Sequence, residues 1–407
     1  MKRTAGNRAA RRPKPVQRID LNERHLKLRW VLLVVVLLIG GTALIYGLTH
    51  SLTAEAGWRV IDSDGSAGLT CAGDFVFQYQ LGASGASAAA ELKELTSLYT
   101  EAAATAYRLF DAKDEYQGVV NLATINRHPG EPLEVGETLY RALSECLADG
   151  ARYLYLGPLY QDDWALAHSA DDREAAEYDP GRNEAVRAYR AEAAAWIGDG
   201  DEITLSLLPD RRVRLDISEG YLAFAEDAGI TEFIDFGWMK NAFIADYLAE
   251  RIGSRGFMHG TISSYDGFIR NLDTGEYAVN LYDRQNSRPY QVGVLRYDAP
   301  GSLVTLRAFP VDSAHEQWFY TWADGAVRTP HLDPADGKPK DAWRYVTVLS
   351  DKLGCGALLM KLMPVYIADR ADEADLLNLA QDGTALAWPG GEGLEVSAVG
   401  DISLTVQ

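Results

Sequence analysis

Apolar positions recur along the chain with two periods. Phe75-Val-Phe-Gln-Tyr79 alternates as a strand does, whereas Leu92, Leu95, Tyr99, Ala102, Ala106 and Leu109/Phe110 return every three or four residues, as on one helix face. A second helix is expected from about Gly136, with Leu139, Leu143, Cys146 and Leu147 on one side. A third runs from about Asn183 to Trp196. Ile203–Leu208 and Arg211–Ile217, joined by Pro209-Asp210, have the form of a hairpin, and strands are expected to dominate from there on. Tyr221–Ala225 and Ile230–Ile234 flank Asp227-Ala-Gly229, and a helix over Met239–Ile252 follows. Further strands are expected at 276–282, 291–297, 302–309 and 343–349, helices at 353–363 and 371–381, and a last strand near 402–406. Early helices followed by strands predict an α+β fold with a mixed or antiparallel sheet, organised as one two-lobed domain rather than a regular βαβ alternation.

Before this body the pattern is different. Trp30–Leu48 is nineteen residues without a charge, about the length a helix needs to cross hydrocarbon. Residues 1–29 ahead of it carry ten Lys/Arg and two acids. By the positive-inside rule this basic tail (1–29) stays cytoplasmic, 30–48 spans a bacterial-type membrane once, 49–71 is a tether, and 72–407 is an extracytoplasmic domain. A cleaved signal peptide ending near Ala54-Glu55-Ala56 is the competing reading, and it exports the body equally.

Composition adds exclusions. With 47% hydrophobic and 10% aromatic residues the chain is globular, not disordered. The net charge of −19 opposes nucleic acid as a partner, because phosphate binding rests on clustered Lys and Arg. The three cysteines (Cys71, Cys146, Cys355) are isolated and signal neither a disulfide framework nor a zinc site.

The common nucleotide-loop, zinc-protease and serine-hydrolase motifs are absent. Two stretches carry candidate chemistry. Asp235-Phe-Gly237 precedes the 239–252 helix, where backbone N–H groups could hold a phosphate, or where Asp and Gly serve only as cap and turn. His331-Leu-Asp-Pro-Ala-Asp-Gly-Lys-Pro339 gathers an imidazole, two carboxylates and an ammonium in a turn-rich loop.

These pieces resemble, in order and spacing, the ApbE-type flavin transferases. Ile125-Asn-Arg-His-Pro-Gly130 resembles the family's L-N-R-x-P-G, and Gly150-Ala151 with Leu156-Gly-Pro-Leu159 and Trp164 its G-A-F-D-P-T-V-G-P-L-x-x-x-W. Asp235–Asp246 is similar to D-L-G-G-I-A-K-G-Y-A-V-D, and Ser264-Tyr-Asp266 stands where the family has G-G-D. Asp333-Pro334 with Gly337 and Pro339 is similar to H-I-I-D-P-R-T-G-x-P, and Cys355–Lys361 lies where A-D-A-L-A-T-A is usual.

The resemblance implies an exported protein that binds FAD and uses Mg²⁺ to transfer FMN to a Thr or Ser of a partner redox protein, releasing AMP. It also implies His331 and Asp333 as catalytic residues, and Asp235, Gly237, Asp246 and Asp266 as cofactor-binding ones. Departures from the pattern are expected to matter. The metal-ligating Asp and Thr of the family fall on Gly356 and Met360, which offer no side-chain oxygen. Trp238 and Tyr265 replace glycines, the motif Asp is Tyr153, and an ungapped match puts the family histidine at Pro330, one residue before His331. A catalytically inactive flavin- or protein-binding domain is the alternative reading. A third class, a carbohydrate binder or hydrolase, is suggested by nine Trp, twenty-one Tyr and many acids.

Overall fold

The structure, a computed structural model, describes residues 55–148, 151–198, 200–285, 288–298, 301–312, 315–380, 384–391 and 396–406. The basic tail and the expected membrane span at 30–48 lie outside the described residues. Among those described, no helix is long and apolar enough to cross a membrane.

The main sheet has eight strands, β1 (Gly57–Val60), β2 (Phe75–Leu81), β3 (Gly260–Ser264), β4 (Phe268–Asn271), β5 (Gly301–Arg307), β6 (Tyr345–Ser350), β7 (Thr384–Pro389) and β8 (Val396–Val399). Their spatial order follows the chain and every neighbouring pair is antiparallel. β1 lies inside the stretch expected to be a tether, which therefore contributes an edge strand. On β2, Phe75, Phe77, Tyr79 and Leu81 are buried while Gln78 and Gln80 point outward, the alternation of a half-buried strand. Burying one such aromatic contributes roughly 1.5–3 kcal/mol.

On the inward side lie α1 (Ala88–Leu109), α2 (Glu137–Cys146), α3 (Lys240–Gly253) and α4 (Cys355–Tyr366), of which α2 packs on α4 rather than on the sheet. α3 packs on β3 and β4, and α4 on β5 and β6. On the outward face a hairpin of 277–285 and 288–297, joined by 403–406, buries Leu281, Val292 and Leu295 against Leu303, Leu349 and Ala385. The hairpin 203–208/212–217 forms as expected, its turn made by Asp210 and Arg211 at φ 59° and 53°.

One expected region differs in kind. Residues 219–228 form a helix, capped by the Ser218 hydroxyl accepting the Tyr221 N–H at 3.1 Å and stopped by Gly229 at φ 72°. Ile230–Ile234 has no strand pairing.

Candidate functional site

The 235–239 turn is shaped by packing. Asp235 Oδ1 accepts the Gly237 N–H at 3.0 Å, and the Asp235 N–H donates to the Leu154 carbonyl at 3.0 Å. Gly237 sits at φ 52°, and a Cβ there would lie 2.5 Å from the Tyr160 ring. Glycine is thus demanded by the left-handed backbone and by Tyr160. Burial raises the Asp235 carboxyl pKa, with the Gly237 N–H and Lys240 pulling the other way. Asp235 and Gly237 accordingly build a turn, the bland alternative of the sequence reading, and the turn delivers Trp238 and Asn241 to a cavity.

That cavity is where His331 and Asp266 meet. It holds only about 30 Å³ and is lined by Trp238, Asn241, Asp266, Arg307, Pro330 and His331, with Tyr265, Trp318 and Phe319 closing it. Pro330 and His331 both reach it, so the one-residue offset expected from the sequence does not carry His331 away. The imidazole is buried, its Nδ1 paired with Asp341 Oδ1, and Asp341 Oδ2 accepts the Thr329 hydroxyl at 2.6 Å. Trp238, Tyr366 and Phe319 stand edge-on around the ring at 4.8, 5.1 and 6.2 Å. A carboxylate on one nitrogen fixes the orientation of the other, the arrangement of an oriented general base.

Asp266 Oδ2 accepts the Asn241 amide at 2.9 Å, and burial pushes the Asp266 carboxyl up to about 6. Among the described residues, none partners the buried Asp266 Oδ1, Asn241 Oδ1 and Trp238 Nε1, and burial lowers Arg307 to about 10. Buried polar atoms left unpaired signal a missing polar guest. The space left is that of one water, far below the volume of a flavin ring.

A larger cleft of about 700 Å³ lies on the other side of the 331–335 segment. Ala151 and Tyr153, Asp333 to Ala335, and Ala357, Met360 and Lys361 converge on it from three distant parts of the chain. Its walls are largely apolar. Asp333 borders it but is engaged: Oδ2 faces Lys340 Nζ at 2.6 Å and Oδ1 accepts the Ala335 N–H at 2.8 Å. Bonds to Asp333 and Asp369 raise the Lys340 pKa. Asp333 therefore pins the loop that forms one wall.

Asp246 belongs to neither cavity. From α3 it accepts the N–H of Cys355 at 2.8 Å and of Gly356 at 2.9 Å, capping α4 from outside, with Arg270 Nε at 3.3 Å. It borders a third cavity of about 420 Å³ with Glu145, Glu250 and Arg141. Burial and the Asp246 carboxylate push Glu145 up to about 7.

The residues present do not fit the family's Mg²⁺. Gly356 and Met360 bring no side-chain oxygen, and a Cβ at 356 would lie 2.5 Å from the Phe243 ring and 2.8 Å from Glu145 Oε2. A ligating Asp there would need Phe243 to move. Among the described residues, no group of three or more His, Cys, Asp or Glu side chains is arranged to hold an ion.

Of the six residues picked from the sequence, the structure brings His331 and Asp266 together. Asp333 sits at the neighbouring cleft, Asp246 at a helix end, and Asp235 and Gly237 in the turn between. Arg307, Asp341 and Glu145 were not singled out by the sequence, and Asn241 only as the residue on the motif's lysine position. Only the acidic position ten residues after His331 could have hinted at one of them.

The architecture is that of the ApbE flavin transferases. It is similar to the ApbE protein from Thermotoga maritima, at 16% identity and a TM-score of 0.55, covering 84% of this chain and 96% of that one. It is equally similar to the flavin transferase ApbE from Vibrio cholerae, at 15% identity and a TM-score of 0.56, covering 85% of this chain and 98% of that one. At such identities the likeness is one of fold. No protein-family model and no curated protein matches the sequence.

Proposed function

We propose that this chain is a membrane-anchored, extracytoplasmic flavin-nucleotide-binding domain on the ApbE fold that does not run the family's metal-dependent FMN transfer. One observation carries the reading: residues 151–153, 333–335 and 357–361, which resemble three separate family motifs, converge on an open cleft of about 700 Å³, while the cavity holding His331 and Asp266 is closed to about 30 Å³. The open cleft falls within the size of nucleotide and cofactor sites. Lys361 at its rim supplies a charge for phosphate, and Ala357, Met360 and Pro364 supply apolar contact for a planar ring. The anchor rests on the apolar run at 30–48 behind its basic tail. Protease added to intact cells should remove the domain; its protection there would refute export.

A second reading, retained FMN transfer from FAD to a hydroxyl of a partner redox protein, is favoured by the His331–Asp341 pair alone. One titration separates the two. The full chain is titrated with FAD by flavin fluorescence, with and without Mg²⁺, while AMP is assayed in the presence of a Ser-Gly-Ala-Thr peptide. Saturable binding that ignores Mg²⁺, without AMP, is expected. AMP release that needs Mg²⁺ would establish the transferase instead. Absence of FAD and FMN binding would remove the flavin reading altogether.

A further inference from the structure

The outward face of the main sheet is only partly covered. The 277–297 hairpin lies over β5 to β7, where it forms the apolar cluster with Leu303, Leu349 and Ala385. Across β2, β3 and β4 the same face is mostly polar, with Ile269 of β4 packed against the edge of that cluster. Gln78 stands opposite Thr261, and Thr261 opposite Asn271, so the three form one row across adjacent strands. Their neighbours Phe77 and Tyr79 point into the helix-covered core, where Phe77 meets the Tyr99 ring of α1 at 5.4 Å.

A groove of about 350 Å³ follows this row. Gln78, Thr261 and Ser263 form its floor, Trp58 of the edge strand one wall and Tyr277 the other. Strands are spaced about 4.8 Å apart, so the span from β1 to β4 is roughly 14 Å. The floor is held rigidly: Asn271 accepts the Thr261 hydroxyl at 3.1 Å and donates to the Tyr297 hydroxyl at 2.9 Å, and Tyr297 stacks on Tyr277 at 5.6 Å and 27°. Trp58 is 53% exposed, the largest exposed apolar side chain along this edge.

Charge narrows the occupant. Among the described residues no Lys or Arg lines the groove, and Glu276 is its sole carboxylate. A polyanion would find no counter-charge, and one acid at the rim is little to hold a polycation. What remains are amides, hydroxyls and aromatic faces, with Ile269, Ala278 and Val279 as aliphatic contacts. Amides and hydroxyls both donate and accept, matching sugar hydroxyls, and the electron-rich ring face matches the C–H face of a pyranose.

We infer that this groove binds a neutral oligosaccharide, with Trp58 as the stacking platform and Gln78, Thr261 and Ser263 as hydrogen-bonding groups. The site shares no residue with the cleft of the flavin reading and stands or falls without it.

The test uses the full chain, titrated calorimetrically with three probes: a β-1,4-linked N-acetylglucosamine tetramer, xylotetraose and maltotetraose. At least one is expected to bind saturably, and Trp58→Ala to weaken it by about tenfold, the usual loss for an aromatic anchor. Gln78→Ala should weaken it less. Because Trp58 and Gln78 are exposed, both variants are expected to melt with the wild type, and FAD binding serves as a control that neither should change. Silence from all three probes would overturn the inference. So would binding that both variants retain in full.

Discussion

Replacing Asp246 by Ala removes a carboxylate that accepts two backbone N–H groups at 2.8 and 2.9 Å and faces Arg270 at 3.3 Å. Its side chain is only 13% exposed. A hydrogen bond to a charged group contributes roughly 1.5–3 kcal/mol, and the truncation orphans the first donors of α4 and takes from Arg270 its carboxylate, leaving it the Ser302 hydroxyl and the Leu353 carbonyl. The 420 Å³ cavity alongside lets water take over part of that demand, which brings the expected loss to about 2–4 kcal/mol. For a folded unit spanning Glu55–Gln407, that corresponds to a fall in Tm of roughly 3–5 °C. Asp246→Asn keeps an acceptor but loses the charge, and should fall between. Thermal melts run beside FAD titrations read both consequences: a lowered Tm with flavin affinity kept within about twofold. An Asp246→Ala protein melting within about 1 °C of wild type would refute the capping argument. If its FAD affinity had also collapsed, Asp246 would be a ligand-binding residue, as the family resemblance implies.

Gly237→Ala combines left-handed strain with overpacking on Tyr160, so urea denaturation should show a loss of about 2–4 kcal/mol; an unchanged midpoint would mean the turn relaxes freely. Glu145 binds its proton more tightly folded, at about 7, than unfolded, at about 4.3. Its stabilising contribution is therefore complete below the unfolded value and lost as pH rises through about 7, so the urea midpoint of wild type should drop from pH 5 to pH 8 and Glu145→Gln should flatten that slope. An equal slope in both proteins would exclude Glu145 as its source. Trp238→Ala should cost about 3–5 kcal/mol while leaving flavin affinity intact, since Trp238 lines the closed cavity and not the cleft; loss of binding in a folded variant would move the flavin to the wrong side of the 331–335 segment for the present reading. Lys361→Glu should weaken FMN binding by about tenfold at low salt and less at high salt, and equal affinities at all salt concentrations would remove Lys361 from the site.

Legibility in the sequence followed the strength of local signals. α1, α3 and the 203–217 hairpin were readable because each carries an unbroken period and turn or cap residues at its ends. The 219–228 helix was not, because Tyr221-Leu-Ala-Phe-Ala225 is a short apolar run that suits either structure; Ser218 and Gly229 bracketing it were the deciding signal. β3 and β4 are short and mix polar with apolar residues on each face, so only their place in the sheet reveals them. The site divides similarly. His331 and Asp266 stood out through their motifs, yet what fixes them, Asp341 and Asn241, comes from tertiary contact. Glu145 acquires its raised pKa from burial first and then from Asp246, a hundred residues away in the chain, and neither is encoded by a local pattern.

The closed cavity and the altered helix end are each built by residues that depend on one another. Trp238 occupies a motif glycine's position and is also one wall of the aromatic cage around His331, at 4.8 Å. Removing it opens space at the cost of a void, and leaves Tyr265, Trp318 and Phe319 still closing the entrance. At α4, the place where a ligating Asp would project from residue 356 is taken by the Phe243 ring, with Glu145 Oε2 beside it. An acid introduced there would meet a hydrocarbon wall and a second carboxylate before it met an ion. A single substitution at either place meets its neighbours, the aromatic cage around His331 at residue 238 and the Phe243 ring at residue 356. The Asp333 loop is held by its salt bridge to Lys340, which fixes one wall of the open cleft. On the present reading a ligand has room in the open cleft and not in the closed cavity, and the Trp238→Ala and Lys361→Glu variants read the two places separately.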